Sequence, residues 1–204
     1  MSRRPPAPDR SPRAGEIVAA ARGLLEAEGP EALTMRRIAE VLGIRAPSIY
    51  KHFPSKHAVE VALLEQGLTD MGAALHRAVG RAGPDTGSGP TTGSGPGEPV
   101  VGLLRTYRAE ALAHPNLYRL ATVGPLARDE LTPGLEDWAG EPLLLATGDP
   151  FLAQALWAFA HGMVVLELDG RFPETSELDR TWAAGAVAFT SAGARSSPEH
   201  CAGA

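Results

Sequence analysis

The chain has 204 residues, of which 44% are hydrophobic, 21% charged and 5% aromatic, and its net charge is −5. This length and composition fit one or two globular domains and exclude a disordered, collagen-like or disulfide-framed chain. The lone cysteine, Cys201, excludes an internal disulfide and a thiolate metal cluster. No run of apolar residues reaches a membrane span and no secretory leader opens the sequence, so a cytoplasmic protein is expected. Net acidity alone speaks against a nucleic-acid partner, but the charge is unevenly placed. Residues 1–57 hold ten Lys and Arg against six Asp and Glu, and the remainder holds nine against eighteen. A basic head on an acidic body is the asymmetry that orients a protein on DNA.

Residues 1–14, rich in Pro and Arg, read as a disordered arm. They are either a solvated tail or a contact to DNA phosphates or the minor groove through Arg3, Arg4, Arg10 or Arg13. Residues 16–28 follow as a helix with Ile17, Ala20, Ala21, Leu24 and Leu25 on one face, ended by Gly29-Pro30. Thr34 is suited to cap the next helix, along which Met35, Ile38, Ala39 and Leu42 make one stripe. Gly43 ends that helix in a left-handed cap, and Ile44 packs back under the pair. Another helix starts near Ala46 with Pro47 in its first turn and buries Ile49 and Phe53. Pro54 stops it, and Ser55 caps its successor. Two short helices around a glycine turn make a helix-turn-helix, whose second helix can enter the major groove. The outward residues Arg36, Arg37, Arg45, Lys51, His52 and Lys56 suit that task, and no acid falls between Ile44 and Lys56.

The run from Thr34 to Lys56, T-x-R-x-I-A-x-x-L-G-I-x-x-x-x-I-Y-x-H-F-x-x-K, resembles the DNA-binding domain of the tetracycline-repressor (TetR) family of bacterial regulators. The resemblance covers about the first quarter of the chain, in one ungapped stretch. It implies an all-helical homodimer with a DNA-binding head and a variable body that binds a small effector. It also implies roles by position. Thr34 caps its helix and meets a phosphate. Arg36 reaches a base edge, where a guanidinium fork matches guanine. Ala46 and Pro47 suit thymine methyls, and Ser48 serves base or phosphate. Tyr50, Lys51, His52 and Lys56 contact phosphates, which position the protein without reading sequence. Tyr50 has the alternative of packing its ring on the core of the head. Arg45 departs from the small hydroxyl residue usual at this cap, which weakens the cap and leaves the arginine free for a base contact.

Beyond the head, residues 56–81 read as a helix of roughly 35–40 Å at 1.5 Å per residue. It is either the mechanical link from body to head or a spacer. Residues 83–99 are a Gly/Ser/Pro-rich flexible loop. Helices are expected over residues 100–113, over 117–122 with Asn116 as cap, and over 135–138 and 143–146 as separate pieces. Residues 151–168 are apolar nearly all round, which predicts a helix buried on most sides. Its WAFAHG segment resembles the W-x-x-x-H-G signature in the C-terminal domain of one branch of the family. A last helix spans residues 176–191, and residues 196–204 are a frayed tail. The final two helices, through Leu156, Phe159, Met163, Leu178, Trp182, Gly185 and Phe189, are expected to form a four-helix interface about a two-fold axis; the alternative is a monomer core.

Enzyme chemistry finds no support. His161 and Glu167 are six residues apart on one helix, which is not a ligand spacing, and neither a nucleophile elbow nor a phosphate loop is present. No catalytic residue, metal or cofactor is assigned. His161 is a buried histidine with one hydrogen bond, or a polar contact for an effector. Tyr107, Tyr118, Trp138, Trp157 and His161 are candidate pocket walls, each with a core alternative, and Arg108 or Arg119 can meet an acidic group. The expected architecture is all-α: an arm at residues 1–14, a three-helix head at 15–57, and a larger dimerising and effector-binding domain at 58–195. The expected function is a transcriptional repressor released from an inverted-repeat operator on double-stranded DNA by an unknown small molecule. Control by a protein partner, or a helical module whose degenerate head does not bind DNA, are the other readings.

Overall fold

In the computed structural model, which describes residues 2–81 and 98–196, the head is built from short-range signals. The Ser11 hydroxyl accepts the Ala14 amide at 3.3 Å and Pro12 fills the first turn, so helix α1 covers Pro12–Glu28. It starts before the expected residue 16, because Ser-Pro is a start signal that apolar periodicity does not register. After a 3-10 turn at Pro30–Ala32, Thr34 accepts the Arg37 amide at 3.1 Å and caps α2, Met35–Val41. Gly43 sits at φ +63°, its amide reaching the Glu40 carbonyl and the Ile44 amide reaching the Ala39 carbonyl. That pair of bonds is a Schellman closure, which needs a residue without Cβ at the left-handed position. It aims Ile44 back onto the core, where it is half-buried.

Helix α3 is one turn long, Ala46–Ile49, and no side chain caps it, as expected of Arg45 at that position. The Phe53 amide still bonds the Ile49 carbonyl at 3.0 Å, which carries the helical path to the residue before Pro54. Ser55 then accepts the Ala58 amide at 3.1 Å and starts α4, Lys56–Arg81. The remaining helices are α5 (Glu98–Ala113), α6 (Pro115–Thr122), α7 (Leu135–Thr147), α8 (Pro150–Leu168) and α9 (Leu178–Ser196), with a second 3-10 turn at Arg128–Glu130. Among the described residues no strand is present. The loop expected at 83–99 and the tail at 196–204 lie outside the described residues, apart from Glu98 and Pro99, which open α5, and Ser196, which ends α9.

Several expectations are corrected. Asn116 does not cap α6; its amide and that of Leu117 donate to the Glu26 carboxylate of α1, at 3.3 and 2.8 Å. A carboxylate there satisfies orphan amides and meets the positive end of the helix dipole. Residues 135–147 are one helix rather than two pieces, with Pro142 inside it. Pro142 is fully buried, and that burial offsets the lost backbone bond. Helix α8 is not buried on most sides. Ala153, Leu156, Ala160, Met163 and Val164 face inward while Phe151 is 80% exposed and Trp157 and Leu166 are also exposed. Among the described residues it is the one helix long and apolar enough to cross a membrane by length and composition.

The chain divides into two compact units, and the division does not fall at residue 57. The first takes residues 2–71 and 113–139. Its core joins Ile17, Ala21, Leu25, Leu33, Ile38, Ile49, Phe53, Val59 and Leu63 to Leu117 of α6. Leu117 and the Glu26 cap explain why α6 belongs to the head. Ion pairs reinforce the unit: Arg22 holds Asp70 at 2.5 Å, joining α1 to α4, and Arg37 holds Glu28 at 2.6 Å, joining α2 to α1. The N-terminal arm, expected to be disordered, lies along this unit, with Arg10 on Glu65 and Arg4 over the Trp138 ring at 5.9 Å.

The second unit holds residues 72–81, 98–112 and 140–196. Helices α8 and α9 pack directly, with Phe159 edge-on to Trp182 at 5.8 Å and tilted against Phe189 at 5.6 Å. Gly185 faces the Phe159 ring so closely that a methyl group there would overlap it. Arg108 of α5 binds Glu167 of α8 at 2.7 Å and Asp179 of α9 at 2.5 Å, and lies over Trp182. Trp182 in turn donates its indole N–H to Glu167 at 3.3 Å. The hydrogen bonds it donates to Glu167, and then to Asp179, raise the Arg108 pKa above its usual value.

Candidate nucleic-acid interface

Eight of the ten residues expected to meet DNA are exposed on the α2–α3 pair and the start of α4, and Ala46 packs against the core of the head. Thr34, Arg36, Arg45, Pro47, Tyr50, Lys51, His52 and Lys56 are exposed, and Ala46 and Ser48 are half-buried at the start of α3. Tyr50 is 53% exposed, so its ring does not pack into the core of the head. Behind them Ile38, Ile49 and Phe53 are buried, which fixes the angle between the two helices from within. The result is a cationic, hydroxyl-bearing ridge on a rigid support.

Arg36 has its side chain 87% exposed and donates Nε to Glu40 at 3.0 Å, one turn on. Arg37 donates to the other Glu40 oxygen at 3.1 Å. These two hydrogen bonds, Arg36 first, hold the Glu40 carboxyl below its usual range, so it stays ionised. The pair aligns the Arg36 guanidinium along α2. A solvent-exposed pair of this kind is weak, so a base edge or phosphate can take the arginine from it. Lys56 is similarly placed on Glu60 at 3.3 Å. His57 donates Nε2–H to the Glu130 carboxylate at 2.8 Å, and that hydrogen bond raises its pKa above the usual histidine value.

The other expected sets distribute differently. Tyr118 and Trp138 are buried in the first unit, whereas Tyr107, Trp157 and His161 belong to the second. Trp157 and His161 stack at 6.0 Å along α8, and burial of the imidazole lowers its pKa. Arg108 is committed to Glu167 and Asp179 rather than open to an acidic ligand, and Glu167 is likewise occupied. Of the expected interface residues, Leu156, Met163 and Trp182 are buried by their own chain, and Phe159, Leu178, Gly185 and Phe189 are half-buried beside them. The face left open carries Phe151, Ala155, Ala158 and Leu166 on α8 and Ala183, Ala184 and Val187 on α9. Of this face, the sequence singles out Ala183 and Ala184 as small residues open to another helix, and the rest escaped because its spacing is helical and apolar too. Sequence reasoning also missed Glu65 and Glu26, and the pairing of Arg10 with Glu65, because these partners are distant in sequence. Among the described residues no group of His, Cys, Asp and Glu is placed to hold a metal. Cys201 lies outside them.

Comparison with known proteins agrees with this layout. Residues 17–63 match the family model described as bacterial regulatory proteins, tetR family, and residues 100–189 match one described as tetracyclin repressor-like, C-terminal domain. An uncharacterised HTH-type transcriptional regulator of Mycobacterium tuberculosis is 29% identical over 164 residues, 76% of this chain and 69% of that protein. The class C tetracycline repressor of Escherichia coli is 45% identical over 53 residues, 26% of this chain and 24% of its own. Among solved structures, a protein of unknown function from Rhodococcus superposes with a TM-score of 0.72 at 22% identity, covering 91% of this chain and 97% of that one. A TetR variant from Acinetobacter baumannii in complex with minocycline superposes with a TM-score of 0.59 at 21% identity, covering 91% and 98%.

Proposed function

We propose that this chain, which belongs to the TetR family of DNA-binding transcriptional regulators, is a repressor released from its operator by a small molecule. The observation that carries the reading is the ridge from Thr34 to Lys56. It is cationic, free of acids from Ile44 to Lys56, exposed, and backed by a buried core. Residues 46–48 would lie at the floor of the major groove, with Tyr50, Lys51, His52 and Lys56 on the flanking phosphates.

Dimerisation is supported by the open apolar face of α8 and α9. Val187 is 64% exposed and Phe151 80%. Small residues between them, Ala155, Ala158, Ala183 and Ala184, let a second pair of helices approach closely. The same exposure accounts for the apolar length of α8 without a membrane. A two-fold dimer places two heads on an inverted repeat, with half-sites a helical turn or a multiple apart. Helix α4 contributes residues to both units, and on this reading it is the route by which a ligand in the body alters head spacing. The effector reading draws on a structural neighbour that is described in complex with minocycline. Tyr107, Trp157 and His161, all in the second unit, are its candidate contacts. Release requires only that the effector bind one arrangement of the dimer more tightly than the other.

The test is the specificity ratio, operator over random duplex, at fixed salt. Arg36→Ala should reduce the ratio by about tenfold or more, the loss of one base contact. Tyr50→Ala and Lys56→Ala should weaken both DNAs alike and leave the ratio unchanged. An unchanged ratio for Arg36→Ala removes its base-reading role.

A further inference from the structure

The N-terminal arm is built onto the first unit by a buried charge. Glu65 of α4 is 5% exposed. One of its oxygens accepts both the backbone amide and the hydroxyl of Thr132, at 2.7 and 2.6 Å, and the other accepts from Arg10. Further along the arm, Pro5 lies 3.8 Å from the position a side chain would take at Gly134, and Arg4 stacks on Trp138. Between arm, α1 and α4 remains an open cleft of about 270 Å³, so the arm spans this surface rather than filling it. The root of the arm is at the DNA-binding edge: the Ser11 hydroxyl is 3.3 Å from Nδ1 of His52 in the recognition segment.

We propose that residues 2–10 are a second DNA contact that the protein holds in reserve, docked on its own first unit by the Arg10–Glu65 ion pair. The inference rests on the DNA-binding reading of the head. The arm carries Arg3, Arg4 and Arg10 against a single acid, Asp9, and three prolines that keep it extended. Released from the unit, its nine residues reach about 30 Å from Ser11 at about 3.3 Å each, enough to follow the backbone into the adjacent minor groove. In the free protein the docked state wins. Without Arg10, Glu65 would be a buried carboxylate with only neutral donors, which is a costly arrangement. DNA competes for the same guanidinium by releasing counterions from its phosphates, and Arg10 remains 27% exposed along the way.

The experiment uses the full chain, Glu65→Gln, Arg4→Ala, and wild type and Glu65→Gln each lacking residues 2–10. Glu65→Gln keeps an acceptor for Thr132 and removes the charge that holds Arg10. Trypsin cleaves after Arg10 but not after Arg4, which precedes proline, so cutting after Arg10, followed by mass, reports undocking. Glu65→Gln should be cut there roughly tenfold faster than wild type, as the open population rises. Arg4→Ala, an exposed change that cannot disturb folding, should be cut a few-fold faster. On a defined duplex, Glu65→Gln should bind with a steeper salt dependence, by about 0.9 in the log–log slope for each arginine gained. That gain should vanish when residues 2–10 are removed. Equal cutting of wild type and both variants would overturn the docking. A steeper slope that survives arm removal, or no change of slope, would overturn the arm as a DNA contact. No binding by any of these proteins would overturn the reading of the head, and with it this use of the arm, while the cutting rates still report the docking by themselves.

Discussion

The head and the α8–α9 pair are both made of short apolar helical stretches, yet they were legible to different degrees. In the head, the start of α2, its end and the start of α4 are each written by a residue whose chemistry acts within four positions: Thr34 on the Arg37 amide, Gly43 at positive φ, Ser55 on the Ala58 amide. Those signals fix where the helices start and stop, and so which side chains face out. In α8, Leu156 and Met163 alternate around the helix with Ala155, Ala158 and Leu166, and every one is apolar. Periodicity finds no polar side there, so it cannot say which face the chain covers itself and which it leaves for another surface. Local chemistry decides the first case and tertiary packing the second.

Substitutions on the two faces of α8 and α9 break this comparison most strongly. Leu156→Ala removes a fully buried side chain and should cost about 2–5 kcal/mol of folding stability in denaturant unfolding. Val187→Asp, on the open face, should leave the helical signal intact and instead yield a monomer in sedimentation or light scattering. If Leu156→Ala were the one to separate subunits while folding normally, the two faces would have been assigned the wrong way round.

The glycines of the same two helices sharpen it. An alanine at Gly185 would push into the Phe159 ring, held by Trp182 and Phe189, and should lower stability by about 1–3 kcal/mol. At Gly162 nothing lies within 4 Å of the added methyl. Gly162→Ala should therefore be neutral or stabilising by up to about 1 kcal/mol in the isolated chain, through helix propensity. A Gly162→Ala protein that folds well but no longer dimerises would place that glycine against the partner.

A smaller effect is expected at the recognition helix. Arg45 leaves α3 without a side-chain cap. Arg45→Ser should add about 0.5–1 kcal/mol to thermal stability by supplying one, while weakening DNA binding through loss of the cation. Gains in both would remove Arg45 from the interface. The smallest is a pH effect. His57 has its pKa raised by Glu130, so its contribution to stability is fully present below its ordinary value of 6.5 and is lost as pH rises through the raised value. The difference in melting temperature between wild type and His57→Ala should be largest at mildly acidic pH and close to nothing in alkaline buffer.

What escaped the sequence was carried by contacts between residues far apart in the chain. Glu26 looks like any surface acid of an amphipathic helix until α6 is set on it, and Asn116 looked like the cap because it precedes Leu117 in sequence. Arg10 belonged to a Pro/Arg-rich stretch that composition assigns to solvent, and nothing nearby in sequence reveals that it pairs with the buried Glu65. Pro142 suggested a break that burial overrides. The exposure of most of the cationic ridge was legible because helix capping and the glycine turn set which way its residues face.

The most direct measurement is selection of bound duplex from a random pool, with the purified full-length protein at near-physiological salt. This account predicts enrichment of one inverted repeat, its half-sites separated by about 10 base pairs or a multiple. Enrichment of a single half-site would contradict the dimer, and a folded protein that enriches nothing would contradict the reading of the ridge itself.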